Sequence, residues 1–222
     1  MLPLIVGVAG VAGLGAGWMA PSAAGALARR WGLDDEEPAE IHSWHRVALA
    51  LVGAALCGAA GATFGSVMQL AVALIVVVWL LLVAAIDLQT RLIPNRLTYP
   101  ALALAPVSGL LWPSMALSDH LLGGAVCAGF FGLAFVVSPR GIGLGDVKLA
   151  LVAGLYLGLT RGIVALVTTL LLGGVAAVAA LVVGLSRKDA IAYGPMLALG
   201  AAVALVAGDR LWLAYLGHLG AR

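Results

Sequence analysis

The chain has 222 residues, of which 63% are apolar and 10% charged, with a mean hydropathy of +1.12 and a net charge of +2. A soluble domain of this size carries about 25% charged residues, so the composition excludes one and leaves a chain that lives mostly in a membrane. The basic residues form no patch on one face, so no nucleic-acid partner is expected.

The first apolar stretch, 3–28, precedes Arg29-Arg30 instead of following a basic segment. That order is unlike a secretory signal and sets the basic end in the cytosol. Further apolar segments follow at 46–64, 67–87, 97–113, 119–137, 147–160, 162–185 and 191–217. A spanning helix needs about 20 apolar residues. The expected fold class is therefore all-α, a polytopic membrane helical bundle with about eight transmembrane helices, forming one unit over residues 1–222. Breaks near Gly65-Ser66, Pro113-Ser114 and Thr160-Arg161 are short, as between antiparallel neighbours. Glycine- and alanine-rich runs such as GVAGVAGLGAG offer faces on which membrane helices approach closely.

With residue 1 outside, nine basic residues fall on the cytosolic side (Arg29, Arg30, Arg46, Arg91, Arg96, Arg140, Lys148, Arg187 and Lys188). Three fall outside, Arg161, Arg210 and Arg222. The asymmetry obeys the positive-inside rule and puts Asp87 and Asp146 on one face, the cytosolic one.

Those two aspartates are the main functional candidates. Asp87 closes the run VALIVVVWLLLVAAID, and Asp146 lies in Gly143-Leu144-Gly145-Asp146. A carboxylate at the end of an apolar membrane helix is costly and marks function. Two that meet cannot both ionise easily; they share a proton and can activate water against a peptide bond. Gly143 and Gly145 allow backbone approaches that side chains forbid. Lys148 either meets the pair or reaches toward lipid headgroups. Asp146 also suits the N-cap of the helix that follows it. Pro94-Asn95 reads as a turn re-entering the membrane, and Gly194-Pro195 as a kink or helix start, with Tyr193 beside it.

Three stretches carry a resemblance. Asp87-Leu-Gln-Thr-Arg-Leu-Ile-Pro-Asn-Arg-Leu-Thr98, Gly141-Ile-Gly-Leu-Gly-Asp-Val-Lys-Leu149 and Tyr193-Gly-Pro-Met-Leu-Ala-Leu-Gly200 resemble, in order, signatures of the bacterial type IV prepilin peptidases. The resemblance covers roughly residues 68–200. It implies an aspartic endopeptidase of the bacterial cytoplasmic membrane. Its catalytic pair would be Asp87 and Asp146, supported by Gly143, Gly145, Lys148, Pro94, Asn95, Gly194 and Pro195. Its substrates would be type IV prepilins or pseudopilins, cut at the cytosolic face after a short basic leader, with membrane lipid around the enzyme. No cofactor is expected. Long family members carry a tetracysteine domain and an N-methyltransferase activity using S-adenosylmethionine. Here residues 29–45 form a short loop instead, and the two cysteines, Cys57 and Cys127, lie in apolar segments. Methyl transfer is therefore not expected.

Other features carry less. Asp34-Asp35-Glu36-Glu37 reads as a solvated loop, or as an attraction for a basic leader. His42 and His45 are too few for a closed metal site. Asp119, Asp189 and Asp209 read as interfacial caps, and His120 and His218 have no partner legible in sequence. The rival reading is a small transporter using Asp87 and Asp146 as proton or cation ligands. The glycines argue against it, because a proton relay has no need of them and a groove for an extended peptide does.

Overall fold

A computed structural model describes residues 2–33, 42–138, 141–182 and 193–218. The acidic run 34–37 and Asp189 lie outside them. The fold is all-helical among the described residues. In chain order the helices are α1 (Leu2–Trp31), α2 (Ser43–Thr63), α3 (Val67–Thr90), α4 (Asn95–Ala103), a 3-10 turn (Ala105–Val107), α5 (Ser108–Leu111), α6 (Leu117–Val137), α7 (Leu144–Val182) and α8 (Gly194–His218). Six of them, α1, α2, α3, α6, α7 and α8, are long and apolar enough to cross a membrane.

The eight apolar segments map onto this set with two differences. The stretch 97–113 is broken into α4, the 3-10 turn and α5; Pro106 removes a backbone donor at the break, while Pro100 is tolerated inside α4. Segments 147–160 and 162–185 are both inside α7. At 39 residues α7 would be about 58 Å long if straight, almost twice the hydrocarbon core. It is not straight. Gly158 holds φ 75° and ψ −179°, a conformation open essentially to glycine alone, and the chain turns back there. Before Gly158, Val147 lies by Gly132 of α6 and Leu151 and Leu155 by Gly124; after it, Gly162 lies by Gly123 and Cys127. Register along α6 first falls and then rises, so the halves of α7 run in opposite directions.

Close helix approach rests on small residues. A Cβ at Gly13 would land on the backbone of Gly53, and one at Gly17 on that of Leu49, so α1 and α2 touch along the expected glycine seam. Gly123 of α6 and Gly154 of α7 face one another in the same way. The second half of α7 runs antiparallel to α8, with Arg161 by Gly208 and Thr169 by Gly200. The core is drawn from all the long helices, with Val77, Val83 and Ile86 of α3, Leu149 of α7 and Leu197 and Leu205 of α8 nearly sealed from outside. α3 therefore sits at the centre, and its C-terminal end carries Asp87.

The end of the bundle near Gly158 is tied by polar groups. Arg161 bonds Asp209 and lies 3.5 Å from the Trp112 ring centre, while Trp112 Nε1 donates to the Tyr156 carbonyl at 3.0 Å. His120, which had no partner legible in sequence, is buried with Nδ1 2.8 Å from the Leu155 carbonyl and 3.3 Å from Ser108 Oγ. The Leu155 carbonyl is one of those that the break at Gly158 deprives of a helical partner.

Candidate active site

The opposite end collects the residues singled out from sequence. α3 runs apolar to Ile86 and stops after Thr90. Arg91 takes a left-handed φ of 53° and its N–H closes on the Asp87 carbonyl at 2.8 Å. Asp87 thus sits one turn from the helix end and is only 4% exposed. Its Oδ2 accepts the backbone N–H of Gly194 at 3.0 Å. Gly194 is the first residue of α8, so the bond uses one of the donors a helix leaves unpaired at its start, where the helix dipole favours negative charge. Pro195 follows within the first turn, where a missing N–H costs nothing. The pair Gly194-Pro195 is a helix start and not a kink.

Asp146 is 8% exposed. It is not the N-cap of α7: that position is Gly143, and Asp146 is the third helical residue, its Oδ2 accepting the Gly143 N–H at 2.8 Å. This is the returning half of a capping box. Both carboxyl groups therefore rest on a glycine N–H at a helix N-terminus, Asp87 on another helix and Asp146 on its own. They lie within electrostatic reach of one another, and Tyr193 lies within reach of Asp146. The Tyr193 ring packs edge-on against Phe131 at 5.8 Å and against Gly173.

The flanking glycines do different things. A Cβ on Gly194 would stand 2.6 Å from Asp87 Oδ2, so a side chain there would have to displace the Asp87 carboxyl group. A Cβ on Gly145 would stand 3.0 Å from Ile93 Cβ, so Gly145 is where α7 meets the loop after Asp87. A Cβ on Gly143 would meet nothing closer than 3.6 Å. Pro94 caps α4 and Asn95 opens it. Lys148 does not bind the aspartates: its Nζ donates to Asn95 Oδ1 at 2.8 Å and to the Tyr99 hydroxyl at 3.3 Å.

Two further residues at this end, both within the stretch Asp87–Thr98, have contacts that the sequence does not assign. Gln89 Nε2 donates to the carbonyls of Pro21 and Ala85 at 3.0 and 3.1 Å, tying α3 to α1. Ile93 is the surface on which Gly145 rests. Neither has a local signal beyond its place in the stretch that begins at Asp87: Gln89 is in the last turn of α3 and Ile93 in the loop after it. Among the described residues no group of three or more His, Cys, Asp or Glu is placed to hold a metal. The His42 and His45 rings are 6.1 Å apart, and His45 stacks on Trp44 at 3.5 Å.

A sequence model of the type IV leader peptidase family matches residues 74–178, which include both aspartates. A prepilin leader peptidase/N-methyltransferase of Escherichia coli (strain K12) is 31% identical over 182 residues, 78% of this chain and 79% of the relative. The chain belongs to the type IV leader peptidase family. A relative of the same description from Bacillus subtilis (strain 168) is 34% identical over 164 residues, 72% of this chain and 65% of the relative. This family member thus spans a little under two thirds of the Bacillus subtilis protein. No solved structure matches it.

Proposed function

We propose that this chain is an aspartic endopeptidase that uses Asp87 and Asp146 to remove the short basic leader of type IV prepilins or prepilin-like pseudopilins. It would act at the cytosolic face of the bacterial inner membrane. The observation that supports the reading is that two buried carboxyl groups lie at one end of the bundle, close enough for each to feel the other's charge, and each is anchored by a glycine N–H at a helix start. The names of the relatives support the substrate class, and the basic asymmetry of the loops supports the cytosolic side.

The chemistry follows from the pair. One carboxylate takes a proton from water as its oxygen attacks the scissile carbonyl carbon. The other, protonated, donates to the carbonyl oxygen and gives a tetrahedral diol. The first then passes its proton to the amide nitrogen, the C–N bond breaks, and the diol returns a proton to the second. The pair ends as it began, with one proton shared and the roles of the two residues belonging to the pair. No step calls for a metal or an organic cofactor.

Asp87→Asn and Asp146→Asn test it. Each keeps shape and removes the proton-transfer group, worth about 10²–10⁴-fold in rate. Co-expression with a prepilin and an immunoblot for the leader should show unprocessed substrate with either variant, while the protein still accumulates in the membrane. Full processing by either variant rules the aspartyl mechanism out. We also propose that the chain cleaves without methylating the new N-terminus: α1 runs to Trp31 and α2 starts at Ser43, so the expected loop 29–45 shortens to a connection over 32–42, too short for a tetracysteine domain in a sequence with two cysteines.

A further inference from the structure

The first half of α7 presents two faces. One carries Asp146. The other carries Gly145, Lys148, Val152 and Tyr156, at helical spacing, and all four meet the segment that follows Asp87. Gly145 rests on Ile93. Lys148 Nζ bonds Asn95 Oδ1 at 2.8 Å and the Tyr99 hydroxyl at 3.3 Å, and lies 5.1 Å from the Tyr99 ring centre. Val152 and Tyr156 pack with Ala101, and the Tyr156 hydroxyl donates to the Ala101 carbonyl at 3.1 Å. Asp146 and Lys148 are two residues apart, about 200° around a helix of 3.6 residues per turn. Lys148 therefore points away from the carboxyl pair and toward the stretch that leaves Asp87.

We propose that Lys148 is a positioning residue: with Asn95 and Tyr99 it clasps the helix of Asp146 to the segment following Asp87, fixing how far α7 is rotated and so where its carboxyl group points. The proposal rests on the aspartyl reading above. The physical need is plain. The two carboxyl groups come from different helices and are anchored separately, Asp87 on the N–H of Gly194 and Asp146 on that of Gly143. Val147 against Gly132 and Leu151 against Gly124 hold α7 to α6, but at its first turns the tie to the stretch after Asp87 is the Gly145–Ile93 contact together with the bonds of Lys148. A misplacement of about 1 Å at a reacting group costs on the order of 10²-fold in rate. A charge-assisted bond near 2.8 Å is a short, directional link.

The test uses the full chain, purified, with a prepilin as substrate. Lys148→Met should lower kcat about tenfold or more with KM little changed. Asn95→Leu should do the same, and the double variant should be no slower than the worse single one, because both cut one link. Lys148→Arg, which keeps a cation in reach of Asn95, should recover most of the rate. Additive losses, a rise in KM alone, or an unchanged kcat in Lys148→Met would each overturn the proposal. A second readout does not depend on activity. Spin labels on cysteines at the exposed Leu92 and Leu144, with Cys57 and Cys127 replaced by alanine, report the spacing of the two loops. The distance distribution should broaden in Lys148→Met and narrow again in Lys148→Arg; an unchanged distribution overturns the clasp. Should Asp87→Asn still cleave, the aspartyl reading fails, while the label distances still decide whether Lys148 holds the loops.

Discussion

The backbone N–H of Gly194 reaches Asp87 Oδ2 at 3.0 Å across 107 residues of sequence. No side chain intervenes, because a Cβ at residue 194 would overlap the carboxyl group it serves. The consequence is a sharp expectation. Gly194→Ala should push Asp87 off its donor and lower cleavage by at least tenfold, with an overpacking cost of about 1–3 kcal/mol in stability. Gly143→Ala, where the added Cβ finds ordinary contacts, should retain far more activity. Initial rates on a purified prepilin compare the two, and equal rates for both would contradict this account of Gly194.

Orientation can be tested with single cysteines. The aspartate end should be the cytosolic one, so Leu92→Cys and Ser138→Cys should react with a membrane-impermeant thiol reagent only after the inner face is opened. Ser114→Cys, from the segment between α5 and α6, should react in intact cells. Labelling of Leu92→Cys or Ser138→Cys from outside reverses the topology and moves the proposed cut to the other face.

Cleavage should need neither zinc nor S-adenosylmethionine. A closed structural zinc site takes four ligands, and this sequence has only two cysteines, both buried in apolar helices. A chelator should leave the rate unchanged, and mass spectrometry of the mature product should find its N-terminus unmethylated. A methyl group added by this chain alone would mean that a function has been missed.

The turn within α7 gives a stability prediction. Gly158→Ala places a side chain at φ 75° and against the Met115 thioether and Asp119. Strain alone costs about 1–3 kcal/mol, and overpacking adds a similar amount. The variant should melt at a lower temperature in a thermal scan in detergent. Since Gly158 lies at the end of the bundle away from the aspartates, kcat measured well below that temperature should change little.

What could be read from sequence was what apolarity makes visible. Asp87 and Asp146 stand out because a carboxylate in such surroundings needs a reason, and Gly194-Pro195 because the pair marks a kink or a helix start, of which the structure has the second. The sequence puts a break near Thr160-Arg161 and the chain turns at Gly158, since charge marks where a segment becomes polar and glycine marks where the backbone turns. The stretch 97–113 reads as one apolar segment although Pro106 marks where α4 gives way to the 3-10 turn. Asp146 read as an N-cap, and only the geometry of Gly143 moves it into the first turn. The partners of Lys148 were out of reach. Asn95 lies 53 residues away, and which face of α7 meets α4 depends on how the whole bundle packs. His120 gained its partners for the same reason: the free carbonyl of Leu155 exists only because the chain breaks at Gly158.

The dependence of Asp87 on Gly194 also sets an order for biogenesis. A nascent chain inserted only as far as α7 already contains both carboxyl groups, the loop 91–94 and the clasp at Lys148. It lacks the donor that holds Asp87, which arrives with α8. The donor for Asp87 is therefore in place only once residue 194 has been made and α8 has entered the bundle. On the aspartyl reading proposed above, a chain stalled before residue 194 should cleave far more slowly than the full one.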